Sequence, residues 1–172
     1  MDLYAENRAL ARHIQTDRLT LRPVVPSDAG AIVAALNDWD VTRWLSVVPF
    51  PYTASDAAWW IGHADQPGHW AIDAGDGLIG AVSIKPDLGY WLASDHHGKG
   101  FMTEAARAVV ADYFCTSDAD LESGHYPANA ASRAVLVRLG FADTVLDTER
   151  QVATGMDVAV QRMRLAQDDF HG

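Results

Sequence analysis

Two short stretches hold residue types that can do chemistry. The first runs Asp95-His96-His97-Gly98-Lys99-Gly100 into residues 101–114, a segment without glycine or proline. Glycine lets a backbone turn sharply and approach a ligand closely. The first amides of a helix have no carbonyl partner and sit at the positive end of its dipole. Together these features suit phosphate, with Lys99 as an optional point charge. A tight turn with a solvated lysine is the plain alternative. The stretch is not a Walker motif, because no Ser or Thr follows Lys99, and its glycines do not fit the dinucleotide pattern. The second stretch, Asn129-Ala-Ala-Ser132, opens another helix and sets an amide and a hydroxyl within reach of a ligand on the neighbouring strand.

Several elements must position these residues. Leu19 and Leu21 alternate with polar neighbours in residues 17–24, a strand pattern. Pro26-Ser27-Asp28 opens a helix, a short helix follows at 40–45, and residues 47–52 form an apolar, proline-containing loop. Thr53 and Asp56 resemble a capping box for a helix through Trp59, Trp60 and Ile61. The period then changes: 69–74 and 78–84 read as a hairpin, and 87–93 as a third strand. In the helix after Gly100, Met102, Ala105, Ala106, Val109, Val110, Tyr113 and Phe114 form one apolar stripe. Residues 120–126 read as a strand and 129–139 as a helix capped by Gly140. Strands at 141–147 and 156–166 follow. The predicted class is mixed α/β: a single domain whose mostly antiparallel central sheet carries helices on both faces.

The 172 residues suffice for one domain with a real core, expected over 16–168, with a loosely attached helical arm at 1–15 and a tail at 169–172. The net charge of −10 speaks against a nucleic-acid partner or an anionic membrane surface. No apolar run has membrane length, and the first residues lack the apolar core of a signal peptide. A reducing cytoplasm is therefore expected. The single cysteine, Cys115, reads as part of the core. No metal is expected.

Residues 88–110 closely resemble the acetyl-CoA-binding motif of the GNAT N-acetyltransferase superfamily. Residues 129–141, with Asn-x-x-Ser and then Leu-Gly-Phe, resemble its second motif. Residues 16–29 and 48–61 resemble the N-terminal half of the branch that contains the ribosomal-protein-alanine N-acetyltransferases. The resemblance spans about 16–168 and departs at Asp95, where many members carry Gln or Arg.

The resemblance implies strands that splay to form an acetyl-CoA cleft. The diphosphate would lie on the amides from His97 and Gly98 through Lys99, Gly100, Phe101 and Met102 to Thr103, with Asn129 and Ser132 nearby. Pantetheine would pair with the strand at Tyr90, Trp91 and Leu92, an amide near Trp91 or Leu92 holding the thioester carbonyl. Ser132 would protonate the CoA thiolate. Asp87 is the first candidate for base or acceptor binding, with Glu122 and His125 as runners-up. The acceptor, a protein N-terminus or a small-molecule amine, would meet Trp44, Phe50 and Tyr52. Glu104 reads as a first-turn acid complementing the helix dipole. The chain could pair as a homodimer. The rival class is a non-catalytic acyl-CoA-binding or regulatory module.

Overall fold

The computed structural model describes residues 13–172. In chain order the strands are β1 (Ile14–Gln15), β2 (Thr20–Arg22), β3 (His69–Asp73), β4 (Leu78–Ile84), β5 (Leu88–Leu92), β6 (Leu121–His125), β7 (Ala142–Gln151) and β8 (Met156–Leu165). The helices are α1 (Ala29–Leu36), α2 (Trp39–Thr42), α3 (Ala54–Ala64), α4 (Phe101–Phe114) and α5 (Ala130–Leu139). The strands form a five-stranded sheet, β1-β2-β3-β4-β5, and a three-stranded sheet, β6-β8-β7. All their pairings are antiparallel. The expected central sheet is thus opened between β5 and β6. The Ser123 hydroxyl still ties the two strands there, donating to the Leu88 carbonyl at 2.8 Å.

Each face of the sheet buries its own set of side chains. The stripe of α4 packs Val109 and Val110 with Leu21, Ile72, Val82, Leu136 and Leu165. The opposite side collects Ile32, Leu36, Val41, Tyr52, Ala57 and Ile61 from the N-terminal helices and the loop between them. The expected caps form. Thr53 and Asp56 exchange side-chain and backbone bonds at the start of α3, and Gly140, at φ 105°, ends α5.

Three expectations need correction. Cys115 is exposed: it follows the last stripe residue, and 100° per residue carries it off the buried face. Residues 1–12 of the expected arm lie outside the described residues. Its end is not helical, since Ile14 and Gln15 pair with Leu21 and Thr20. β7 extends to Gln151, because its ladder with β8 orders a polar segment that shows no alternation.

A clamp joins β2, β3 and the entry to α1. The Arg22 guanidinium contacts both oxygens of buried Asp28 at 2.9 Å and one oxygen of Asp73 at 3.0 Å. Burial pushes the Asp28 carboxyl up, but the bonds from Arg22 and the Val25 amide outweigh it and hold the pKa below its usual value. A depressed carboxylate contributes stability that is present above its unfolded pKa and lost as pH falls through the folded value. Asp28→Asn is therefore expected to cost roughly 2 kcal/mol at neutral pH and to flatten the acid limb of stability. Chemical denaturation at a series of pH values checks this.

Candidate active site

Gly98 and Gly100 have φ values of 72° and 78°, a left-handed conformation that side chains resist. They bring the chain from β5 into α4. The first intrahelical bond runs from the Glu104 amide to the Gly100 carbonyl at 3.1 Å, so helix geometry gives the amides of Phe101, Met102 and Thr103 no intrahelical acceptor. Arg18 braces this end: it donates to the Lys99 carbonyl at 2.9 Å and lies over the Phe101 ring at 4.6 Å. Glu104 accepts from the Thr16 hydroxyl at 2.6 Å, the Arg18 amide at 2.9 Å and Arg18 Nε at 2.7 Å. Burial pushes its pKa up, but these bonds hold it below the usual value. Its carboxylate fastens the turn between β1 and β2 to α4.

The register between β4 and β5 shows which backbone groups face the opening. The Ala93 amide donates to the Ile79 carbonyl at 2.9 Å, and the ladder continues as Ala81↔Trp91 and Ser83↔Gly89. Antiparallel alternation then turns Trp91 toward β4 and leaves the backbone groups of Leu88, Tyr90 and Leu92 toward β6. Trp91 is therefore the wrong amide for an incoming ligand, whereas Leu92 and Tyr90 face it. The Leu88 carbonyl is taken by Ser123. The Leu92 carbonyl accepts from His97 Nε2 at 2.7 Å, so the His97 ring turns back onto β5 and away from the loop. A Cβ on Gly80 would stand 2.4 Å from the Trp91 carbonyl and 3.0 Å from Leu92 Cα. Gly80→Ala is accordingly expected to displace β5 and lower the melting temperature by several degrees, a shift that thermal unfolding would read.

Beyond the splay lies a cleft of about 1390 Å³. Ser132, on the first turn of α5, has its Oγ 2.9 Å from the Tyr90 hydroxyl. Its amide is capped by the Asn129 side chain at 3.1 Å. Burial pushes the Tyr90 phenol up to about 12, against the weaker opposing effect of Ser132. The phenol is thus protonated at neutral pH. It can donate to Ser132 Oγ or to the Ser132 carbonyl, 3.2 Å away.

The cleft is also lined by Trp44, Tyr52, Trp59, Trp60, Tyr126 and Glu149, among others. Glu149 there accepts from Arg162 at 3.0 Å and from the Ser46 hydroxyl. Among the N-terminal acids, Asp38 accepts from the Ser94 hydroxyl and caps α2. Those bonds, Ser94 first, lower its pKa. Asp56 is held by Thr53.

The cleft gathers Asp87, Tyr90, Trp91, Leu92, His97, Gly98, Gly100, Phe101, Met102, Thr103, Asn129 and Ser132. It also takes in Trp44, Tyr52 and His125. Three predicted residues fall outside it. Lys99 is an exposed loop residue whose carbonyl is held by Arg18. Phe50 packs edge-on against Trp39 at 5.1 Å. Glu122 is exposed opposite Arg164 on β8, because β6 alternates and its odd-numbered residues point inward. Sequence reasoning missed Arg18, His69 and Tyr126. Only Arg18 carried a signal, as part of the Asp17-Arg18-Leu19 segment that resembles the family.

A strand edge left open beside a neighbour, leading into a left-handed glycine loop and a helix N-terminus, defines an α/β domain built around a strand-edge ligand cleft. The chain belongs to the acetyltransferase (GNAT) domain family, whose profile it matches over residues 18–142, and it is an acetyltransferase. "Uncharacterized N-acetyltransferase p20" of Bacillus licheniformis is 25% identical over 175 residues, covering 92% of this chain and 98% of that protein. Two solved structures share the fold. The microcin C7 self-immunity acetyltransferase MccE, in complex with acetyl-CoA and AMP, superposes with a TM-score of 0.75 at 18% identity, covering 88% of this chain and 93% of that one. RimL, a ribosomal L7/L12 alpha-N-protein acetyltransferase in complex with CoA, gives 0.76 at 19% identity, covering 92% and 99%.

Proposed function

We propose that this protein transfers the acetyl group of acetyl-CoA to a primary amine by direct attack within a ternary complex. The observation that carries the proposal is continuity: one cleft takes in the glycine loop, the free edge of β5, the Tyr90–Ser132 pair and the aromatic side chains of Trp44, Tyr52 and Trp60. The amides from Gly98 to Thr103 hold the diphosphate, and their dipole complements its charge. The edge-facing backbone groups of Tyr90 and the amide of Leu92 receive the pantetheine as an added strand, the Leu92 carbonyl being held by His97. The Leu92 amide donates to the thioester oxygen as it gains charge. Asp95 is exposed and leaves the cradle to backbone amides.

The proton inventory follows from the groups present. Acyl transfer needs a neutral amine and a protonated leaving thiolate. An α-amino group near pKa 8 is about one-tenth neutral at pH 7, whereas a lysine amine near 10.4 has less than about one part in a thousand. Asp87 faces the cleft and draws in the ammonium form. Ser132 delivers a proton to the departing sulfur, with Tyr90 setting the direction of its hydroxyl. A protein N-terminus is the favoured acceptor class, since RimL, which shares the fold, is an alpha-N-protein acetyltransferase. Incubation with acetyl-CoA and either a peptide bearing a free N-terminal alanine or its N-blocked, lysine-containing counterpart tests the assignment. N-terminal acetylation is expected to dominate; equal or exclusive lysine modification would reject it. No helix among the described residues is long and apolar enough to cross a membrane, and we place the reaction in the cytoplasm.

A further inference from the structure

Three buried imidazole nitrogens among the described residues have no hydrogen-bond partner: His69 Nδ1, His96 Nδ1 and His125 Nε2. All three residues border the cleft. His125 differs from the others in two respects. It is only 6% exposed, and its second ring nitrogen is fixed, with Nδ1 2.9 Å from the Tyr126 carbonyl. A carbonyl only accepts, so Nδ1 carries the hydrogen in the neutral ring and Nε2 carries the free lone pair. The same carbonyl accepts from the Asn129 amide at 2.8 Å, and Asn129 in turn caps Ser132. One backbone oxygen therefore orients both the imidazole and the helix that presents the serine. Ser123, two residues earlier on the same face of β6, bonds to β5, so His125 comes just past that bridge.

We propose that His125 Nε2 is the group that takes the proton from the acceptor amine. The assignment rests on the acetyl-transfer reaction proposed above. The bound ammonium first gives one proton to solvent; the lone pair of the neutral amine then forms the N–C bond, and the C–S bond breaks with its electron pair on sulfur. One proton passes from nitrogen to His125 Nε2 and one from Ser132 Oγ to sulfur. Solvent then returns both residues to their starting states. The charged groups on the neighbouring elements are Asp143 on β7, bound to Arg133 at 2.7 Å, and Arg162 on β8, opposite Gly124, and Arg138 on α5, which line the same cleft. Asp87 lies at the β4–β5 turn and lines the cleft, where its charge attracts the amine and deprotonation is left to His125.

The test uses the full chain, acetyl-CoA and two probes, a peptide with a free N-terminal alanine and spermidine. His125→Gln, which retains a donor for the Tyr126 carbonyl but no base, is expected to lower kcat by about 10²-fold or more and to change acetyl-CoA affinity less than about twofold. Added imidazole is expected to restore part of the kcat lost in His125→Ala, an effect that repair of packing alone would not produce. Long-range ¹H–¹⁵N spectra of the imidazoles, recorded without acceptor, are expected to show His125 protonated at Nδ1. A His125→Gln kcat within threefold of wild type, or protonation at Nε2 in the neutral ring, overturns the proposal. If the wild-type chain acetylates neither probe, amine transfer itself fails and the base assignment falls with it. If wild type is active and His125→Gln equals it, only the base assignment falls.

Discussion

Gly98→Glu is expected to weaken acetyl-CoA binding by at least about 100-fold while the protein stays folded. A Cβ at Gly98 would have nothing within 4 Å, so the side chain has room and packing is not disturbed. The left-handed backbone, φ 72°, costs a non-glycine residue about 1–2 kcal/mol, which a domain of ordinary stability tolerates. The carboxylate, however, would sit in the amide cradle at the start of α4 and compete for the donors that the diphosphate uses. Each charge-assisted bond lost is worth about 1.5–3 kcal/mol, and every 1.4 kcal/mol is tenfold in affinity. Gly98→Ala separates the two effects, because it carries the strain without the charge and should weaken binding far less. Calorimetric titration together with a thermal melt reads both. Unchanged affinity in Gly98→Glu would remove the diphosphate from this loop.

Ser132→Ala is expected to reduce kcat by about 10²-fold and to leave acetyl-CoA affinity within a few-fold of wild type. The substitution does not disturb the helix start, because the cap runs from the Ser132 backbone amide to Asn129 and needs no hydroxyl. It does leave the Tyr90 phenol with only the Ser132 carbonyl, 3.2 Å away, as its partner. Tyr90→Phe should give a smaller loss of kcat, since the serine keeps its proton but loses the group that directs it. Steady-state kinetics paired with equilibrium binding discriminate the roles. A large rise in the dissociation constant with kcat preserved would make Ser132 a binding residue.

The conformation of the glycine loop was legible from sequence, because two residues free to adopt positive φ stand directly before an amphipathic stripe. The α4 stripe and the Asn129 and Gly140 caps were legible for the same local reason. The split of the sheet was foreseen only through the family resemblance, since β5 and β6 are separated by α4, and no local pattern states that their ladder fails to close. Trp91 and Leu92 could not be ranked until the β4 register was known; a one-residue change in register exchanges which amides face the cleft. Glu122 looked as reactive as His125 in the linear sequence, but they are three positions apart on one strand, so alternation exposes one and buries the other. Arg18 became visible at the loop only when β2 met α4 through Glu104.

Amine-dependent release of CoA tests the central claim most directly. Acetyl-CoA, the protein and a free N-terminal peptide should give CoA and N-acetylated peptide in equal amounts, at a rate that rises with peptide concentration until it saturates. Tight acetyl-CoA binding without amine-stimulated release, for this peptide and for a panel of small amines, would contradict it and make the chain a CoA-binding module.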